Sequence, residues 1–366
     1  MTKNLSWRYA IASCALSLLA TTCAYAMPQG PCDPAPKNIC CEEPKPGPFA
    51  FLYPKDMNLA CPNDFYFYGD FLAMQPMQDG LVYGIVDTNA SNVIGSSLSG
   101  GKVLSFSSDH NSYDWDYGAR IGLGCVLSRD AWNLDVQWMW FHTNQDVNGT
   151  TERTGLIIPQ WIPTQAPTLD DTDASQRWEM KLNVLDIALG KPFHVSRYVV
   201  LSPFFGLRAA WIDQNYVARY AGSFDTKFRV DRNNFWGVGT RMGVNSEWSM
   251  GSGFQLLANS STSLLYSKFD VSENLPFETA SYAFDSSFYR NSSNLELQVG
   301  VAWGTHFNDM QNYVRLQALW EFHTWYDQNQ IRKLFSNNPA GTFVNDTVSR
   351  GDLNLSGISL RVMFDF

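Results

Sequence analysis

The feature that most restricts this chain is an alternation of apolar and polar residues that recurs from Asn63 to the last residue. In the final segment Ile358, Leu360, Val362, Phe364 and Phe366 share one face, and Gly357, Ser359, Arg361, Met363 and Asp365 share the other. A period of two is the signature of a β-strand with chemically different faces. The same pattern places Trp115, Tyr117, Ile121 and Leu123 against Asp116, Gly118, Arg120 and Gly122, and Trp132, Leu134, Val136, Trp138 and Trp140 against Asn133, Asp135 and Gln137. It returns at Phe205–Trp211, Trp236–Val244, Leu295–Trp303 and Val314–Phe322.

Two architectures accept such strands: a soluble sandwich with the apolar faces inward, or a membrane barrel with those faces outward. Three observations favour the barrel. Trp and Tyr gather near strand ends, the opposite faces combine charge with glycine, and short and long connections alternate. The aromatic content of 14% suits interfacial girdles. After the N-terminal region no run approaches the ~20 apolar residues of a membrane helix, so spanning must use strands, and in a membrane a sheet must close on itself. The expected fold is therefore all-β, a closed antiparallel transmembrane barrel with short periplasmic turns and long extracellular loops.

Strands are expected near 63–75, 112–127, 131–145, 175–191, 198–215, 234–248, 252–269, 287–304, 311–326 and 350–366, about ten in all. Twelve is the alternative count, because Leu81, Tyr83 and Ile85, with Val103, Leu104 and Phe106, suggest a further hairpin in the connection from Pro76 to Asn111. The fourth strand changes phase: Trp178, Met180 and Leu182 have one parity and Leu185, Ile187 and Leu189 the other, which predicts a bulge near Asn183–Leu185.

The N-terminus has the form of an export signal over 1–26. Lys3 and Arg8 lead an apolar run from Ala10 to Ala20, and Ala24-Tyr25-Ala26 is a small-x-small cleavage site. Residues 27–62 are rich in Pro and hold Cys32, Cys40, Cys41 and Cys61, a periplasmic tail preceding the barrel of 63–366. These four cysteines are disulfide candidates in an oxidising compartment, whereas Cys125 falls on the apolar face and is expected to be a small lipid-facing residue.

The net charge of −9 disfavours a nucleic-acid partner. Five histidines without a ligand spacing predict no metal or cofactor, and Asp109-His110 or Glu321 with His323 is weak ground for catalysis, so no enzyme is expected. The Gly-x-Gly pairs at 122–124 and 237–239 precede no helix and are not nucleotide loops.

The lumen face is expected to present Arg120, Arg208, Arg241, Arg315, Arg361, Asp135, Glu296 and Glu321. Arg120, Arg208 and Arg241 would face Glu296 and Glu321 as opposed patches at a constriction, or the same charges would pair and fill the barrel. Inward Gly118, Gly122, Gly124, Gly206, Gly237, Gly239, Gly243 and Gly300 remove side-chain volume and favour an opening.

Several stretches, in order, resemble the major outer-membrane-protein porins of the Legionella and Chlamydia-related type. They are Asp70-Phe71-Leu72, Gln78-Asp79-Gly80-Leu81, Arg120-Ile121-Gly122-Leu123-Gly124, Trp140-Phe141-His142-Thr143, Leu182-Asn183-Val184-Leu185-Asp186, the run Pro203 to Gln214, and Asn234-Phe235-Trp236-Gly237-Val238-Gly239. Ala73-Met74 depart from the usual aromatic after Leu72. The terminal face Ile358, Leu360, Val362, Phe364 and Phe366 resembles the assembly signal of bacterial outer-membrane proteins. The resemblance implies an outer-membrane location and passive passage of small hydrophilic solutes and ions. Its chlamydial side implies disulfide-linked envelope proteins as partners beside outer-membrane lipid and a second copy of the chain. The alternative function is a structural envelope or adhesion protein with a closed barrel and ligand-binding loops.

Overall fold

The computed structural model describes residues 65–87, 102–105, 113–127, 132–150, 156–159, 171–196, 198–222, 226–276, 281–307, 312–335, 345–348 and 350–366. Ten long strands form the wall: β1 (Phe65–Gln78), β2 (Asp116–Leu127), β3 (Trp132–Thr150), β4 (Asp171–Gly190), β5 (Val199–Gly222), β6 (Thr226–Gly251), β7 (Phe254–Pro276), β8 (Ser281–Phe307), β9 (Asn312–Asn329) and β10 (Gly351–Asp365). Each pairs antiparallel with its sequence neighbours, and β1 pairs with β10, so the sheet closes as an up-and-down barrel. The described residues contain no helix.

The closure is staggered. A walk across paired residues from Tyr66 passes Gly124, Asp135, Ala188, Gly206, Arg241, Ser263, Asn294, Trp325 and Leu353 and returns to β1 at Gln78, twelve residues beyond its start. Stagger of this kind tilts strands by about 35–45° to the barrel axis.

Burial fixes the facing. Ile121, Phe205, Leu207, Val299 and Leu360 are exposed, whereas Arg120, Arg208, Glu296 and Glu321 are buried. On β6 the apolar outer face runs from Trp248 to Trp236 and gives way to exposed Asn234 and Arg232. Thirteen tilted residues make a band roughly 25–30 Å tall, the height of an outer-membrane core. Strands β5 to β8 continue well beyond it. Their extracellular extensions make β6 and β8 longer than the expected 234–248 and 287–304, because outward residues there meet water and the apolar alternation stops.

The hairpin suspected between Pro76 and Asn111 exists outside the wall. Gly84–Asp87 pairs with Lys102–Leu104 and with Leu156–Pro159 in a three-stranded sheet at the extracellular mouth. The wall count is ten. One short strand, Phe193–His194, pairs with β5 beside the turn before it, and the β6–β7 turn uses positive φ at Gly251, Ser252 and Gly253.

The bulge expected near Asn183–Leu185 is absent. Asn183, Val184 and Leu185 pair in unbroken register with Trp140, Met139 and Trp138. The phase change has another cause. Trp178, Met180 and Leu182 point into the barrel, where the upper lumen is itself apolar, while Leu185, Ile187 and Leu189 point outward.

Candidate functional site

The lumen of a barrel is its natural site, and here it is filled in layers. The middle layer is made of side chains from all ten strands. Arg120 of β2 grips Glu321 of β9 through both carboxylate oxygens, at 2.7 and 3.0 Å, and Asp70 of β1 at 2.8 Å. Arg361 of β10 takes Asp70 in a two-point contact at 2.7 Å. His323 lies 2.9 Å from Glu321 and 3.3 Å from Glu296 of β8, one ring nitrogen to each.

On the other side Arg208 of β5 reaches Glu296 at 2.5 Å and Asp186 of β4 at 2.7 Å. Arg241 of β6 joins Glu296 at 2.9 Å, and Ser261 of β7 donates to the same carboxylate. Gln137 of β3 donates to Asp186, and the Tyr68 hydroxyl donates toward Gln137 or Asp135. Arg361 stacks 4.1 Å over the Tyr68 ring, which completes the circuit. The four acids Asp70, Asp186, Glu296 and Glu321 are matched by Arg120, Arg208, Arg241 and Arg361. Buried charges are tolerated when each is paired and hydrogen-bonded in this way.

The sequence therefore located the inward charges, while their arrangement is interleaved instead of split into opposed patches. Arg120, Arg208, Arg241, Arg361, Glu296 and Glu321 all belong to the circuit. Asp135 sits just below, against Tyr66 and Tyr68, and Arg315 lies nearer the periplasmic end with Glu247 and Gln255. His323, read beside Glu321, was not placed against Glu296, and Asp70 and Asp186 were missed as partners. Their signal is register, since Asp70 lies directly opposite both Arg120 and Arg361, and Asp186 opposite Arg208.

Above the circuit the lumen is a hydrophobic core. Leu72, Met74, Phe141, Trp178, Ile212, Phe235, Phe269 and Trp325 line it from the wall, and Leu81, Tyr83, Leu104, Ile157 and Ile331 enter it from the extracellular connections. Tyr113 anchors one such connection, donating to the Gln78 carbonyl at 2.9 Å, and burial pushes its phenol up to about 12. Burial likewise raises Tyr83 to about 12. Below the circuit a recess lined by Asn245, Asn259, Ser261, Gln298 and Arg241 has room only for water.

The inward glycines do not leave space. A Cβ on Gly122 would overlap the Tyr68 ring, and one on Gly124 the Tyr66 ring; at Gly206, Gly239 and Gly300 it would strike a backbone carbonyl of the adjacent strand. Cys125 also departs from expectation. It is 1% exposed, packed among Phe65, Val136 and Leu185, and disulfide-bonded, so it is no lipid-facing filler. Cys32, Cys40, Cys41 and Cys61 lie outside the described residues, as do Asp109 and His110. The terminal face is placed as read: Ile358, Leu360, Val362 and Phe366 are exposed on the outer wall. Among the described residues no cluster of His, Cys, Asp and Glu has the form of a metal site.

The family model for the Legionella pneumophila major outer membrane protein precursor matches residues 61–366. The chain belongs to this family. A search of the curated proteins finds no match. Among solved structures the chain is similar to the outer membrane protease OmpT of Escherichia coli, at 10% identity and a TM-score of 0.42, covering 83% of this chain and 97% of that one. It is also similar to the toluene transporter TbuX of Ralstonia pickettii, at 8% identity and a TM-score of 0.32, covering 82% and 89%. A third is the toluene transporter TodX of P. putida, at 8% and 0.28, covering 83% and 90%. Family and fold together make the protein an outer-membrane β-barrel. The expectation that the chain is no enzyme is withdrawn, since an outer membrane protease is among the barrels it is similar to. Identities this low speak to fold alone and transfer no activity.

Proposed function

We propose that this family member is a closed barrel that serves as a structural envelope protein and displays its extracellular connections at the cell surface. One observation carries the reading: all ten strands contribute to a single paired layer across the lumen, with a hydrophobic core stacked above it. Ten strands lie just above the number at which side chains fill a barrel. Long strand extensions beyond the apolar band support display of the mouth, and the outer face supports outer-membrane lipid as the surrounding partner. Export by the 1–26 signal, and cross-linking of the 27–62 tail through its cysteines to envelope proteins or a second copy, complete the proposal.

Passive diffusion of small hydrophilic solutes and ions is the second reading. The polar lining of the water-sized recess at Asn245, Asn259 and Gln298 below the circuit favours it. Liposome swelling in a graded series of sugars tests the two. The closed reading expects swelling no faster than protein-free liposomes, and size-dependent sugar entry would replace it with the porin reading.

A further inference from the structure

Strand β9 does not end cleanly. Its register with β10 breaks between Trp325 and Asn329, and Asp327 adopts φ of 52°, a left-handed conformation uncommon for a residue with a side chain. The chain then folds into the barrel mouth, so that Gln328, Asn329, Gln330 and Ile331 are buried. This strap is held mainly by side chains. Asn233 donates to the Gln328 carbonyl at 2.6 Å, Asn329 donates to the Asp79 carbonyl at 2.9 Å, and the Arg332 amide donates to Glu273 at 2.8 Å.

Beneath it lies an unusual group of side chains. Phe235 and Phe269 stand 5.0 Å apart by ring centroid, and Trp325 meets Phe235 edge-on at 6.4 Å. Three residues joined to this group leave polar groups without a protein partner although they are at most 1% exposed: Trp325 its indole N–H, Asn233, whose amide donates to Gln328, its side-chain carbonyl, and Gln328 both ends of its amide. Buried donors and acceptors are nearly always paired, so these residues, linked by the Asn233–Gln328 hydrogen bond and the Trp325–Phe235 ring contact, mark a place where something else supplies the hydrogen bonds.

We propose that the strap covers an occluded binding site for a small ring-bearing molecule with a hydroxyl or similar donor-acceptor group. Its ring packs on Phe235 and Phe269, its oxygen accepts from the Trp325 indole, and its proton goes to Asn233 or Gln328. Entry requires the strap to lift, and the guest takes room from Ile331, which the strap carries into the same core. The ion-pair circuit below, with Arg208 over the Trp325 ring at 5.8 Å, is the floor.

Phenol and toluene are suitable probes because they share a ring and differ in the hydroxyl. Equilibrium dialysis of each against the folded full chain in detergent should show saturable phenol binding at one per chain. Toluene, Trp325→Phe with phenol, and Gln328→Leu with phenol should each be weaker, Trp325→Phe by about tenfold for one lost hydrogen bond to a buried group. Phenol uptake that does not saturate, that matches toluene, or that is the same in both variants would overturn the site. Should those variants misfold, Ile331→Ala provides the second arm. It enlarges the room under the strap and is expected to tighten phenol binding, while unchanged or weaker binding counts against the proposal.

Discussion

At the scale of single residues, the side chain that matters most is Arg120, which holds Asp70 and both oxygens of Glu321 in the middle of the lumen. Removing one partner of such a buried set strands a charge, so Arg120→Met is expected to lower stability by about 3–5 kcal/mol. Urea unfolding in detergent micelles measures this, and a loss under 1 kcal/mol would mean the circuit is hydrated and weak. Gly122→Leu drives its side chain into Tyr68 and is expected to reduce folding yield, whereas an open lumen would accept it. Outside the membrane, Tyr113 tests the docking of the extracellular connection. Its folded phenol titrates near 12, against an ordinary value of 10. A raised folded value gives stability that is complete below pH 10 and is lost as pH rises through 12. Wild type should therefore weaken over that interval more steeply than Tyr113→Phe, and parallel profiles would show that the phenol is not buried. The inward direction of Arg120, Arg208, Arg241 and Glu296 was legible in the alternation of the sequence. That they could pair and fill the barrel was one of two readings; which of them pair was not legible, because it depends on which strands face one another across the lumen. The glycines misled for a related reason, since Gly122 is filled by Tyr68 of the adjacent strand, a neighbour visible only once the register is known.

At the scale of elements, alternation identified all ten wall strands because lipid on one side and a packed lumen on the other impose opposite chemistries on successive residues. It failed where both faces become apolar or both become wet. On β4 the apolar upper lumen reversed the apparent phase and imitated a bulge, and on β5 to β8 the strands outrun the membrane and the signal fades. The facing itself is open to test. Leu207 is exposed on the outer wall, and Gln298 lines the recess inside. Arginine on the lipid face near the midplane costs about 2–4 kcal/mol, against little on the lumen face. Leu207→Arg should therefore impair folding into lipid vesicles far more than Gln298→Arg, and equal yields would reverse the assigned faces.

At the scale of the whole molecule, ten strands with a stagger of twelve residues enclose a space that one ion-pair layer and one hydrophobic core are enough to close. Composition and periodicity supported the barrel and its membrane, while the state of the lumen emerged only from contacts between distant strands such as Arg120 with Glu321 and Arg208 with Glu296. The tail is tested separately. Non-reducing gels of native envelopes should show shifted or multimeric bands that vanish when Cys32, Cys40, Cys41 and Cys61 are replaced by Ser, and four free tail thiols in untreated protein would refute the cross-link. The closed lumen is the central claim, and planar-bilayer recording of the purified, folded chain tests it most directly. Current should stay at the bare-bilayer level across the voltage range while the inserted protein is verified by its heat-modifiable migration. Discrete steps of reproducible unit conductance would contradict the closed barrel and make the lumen a pore.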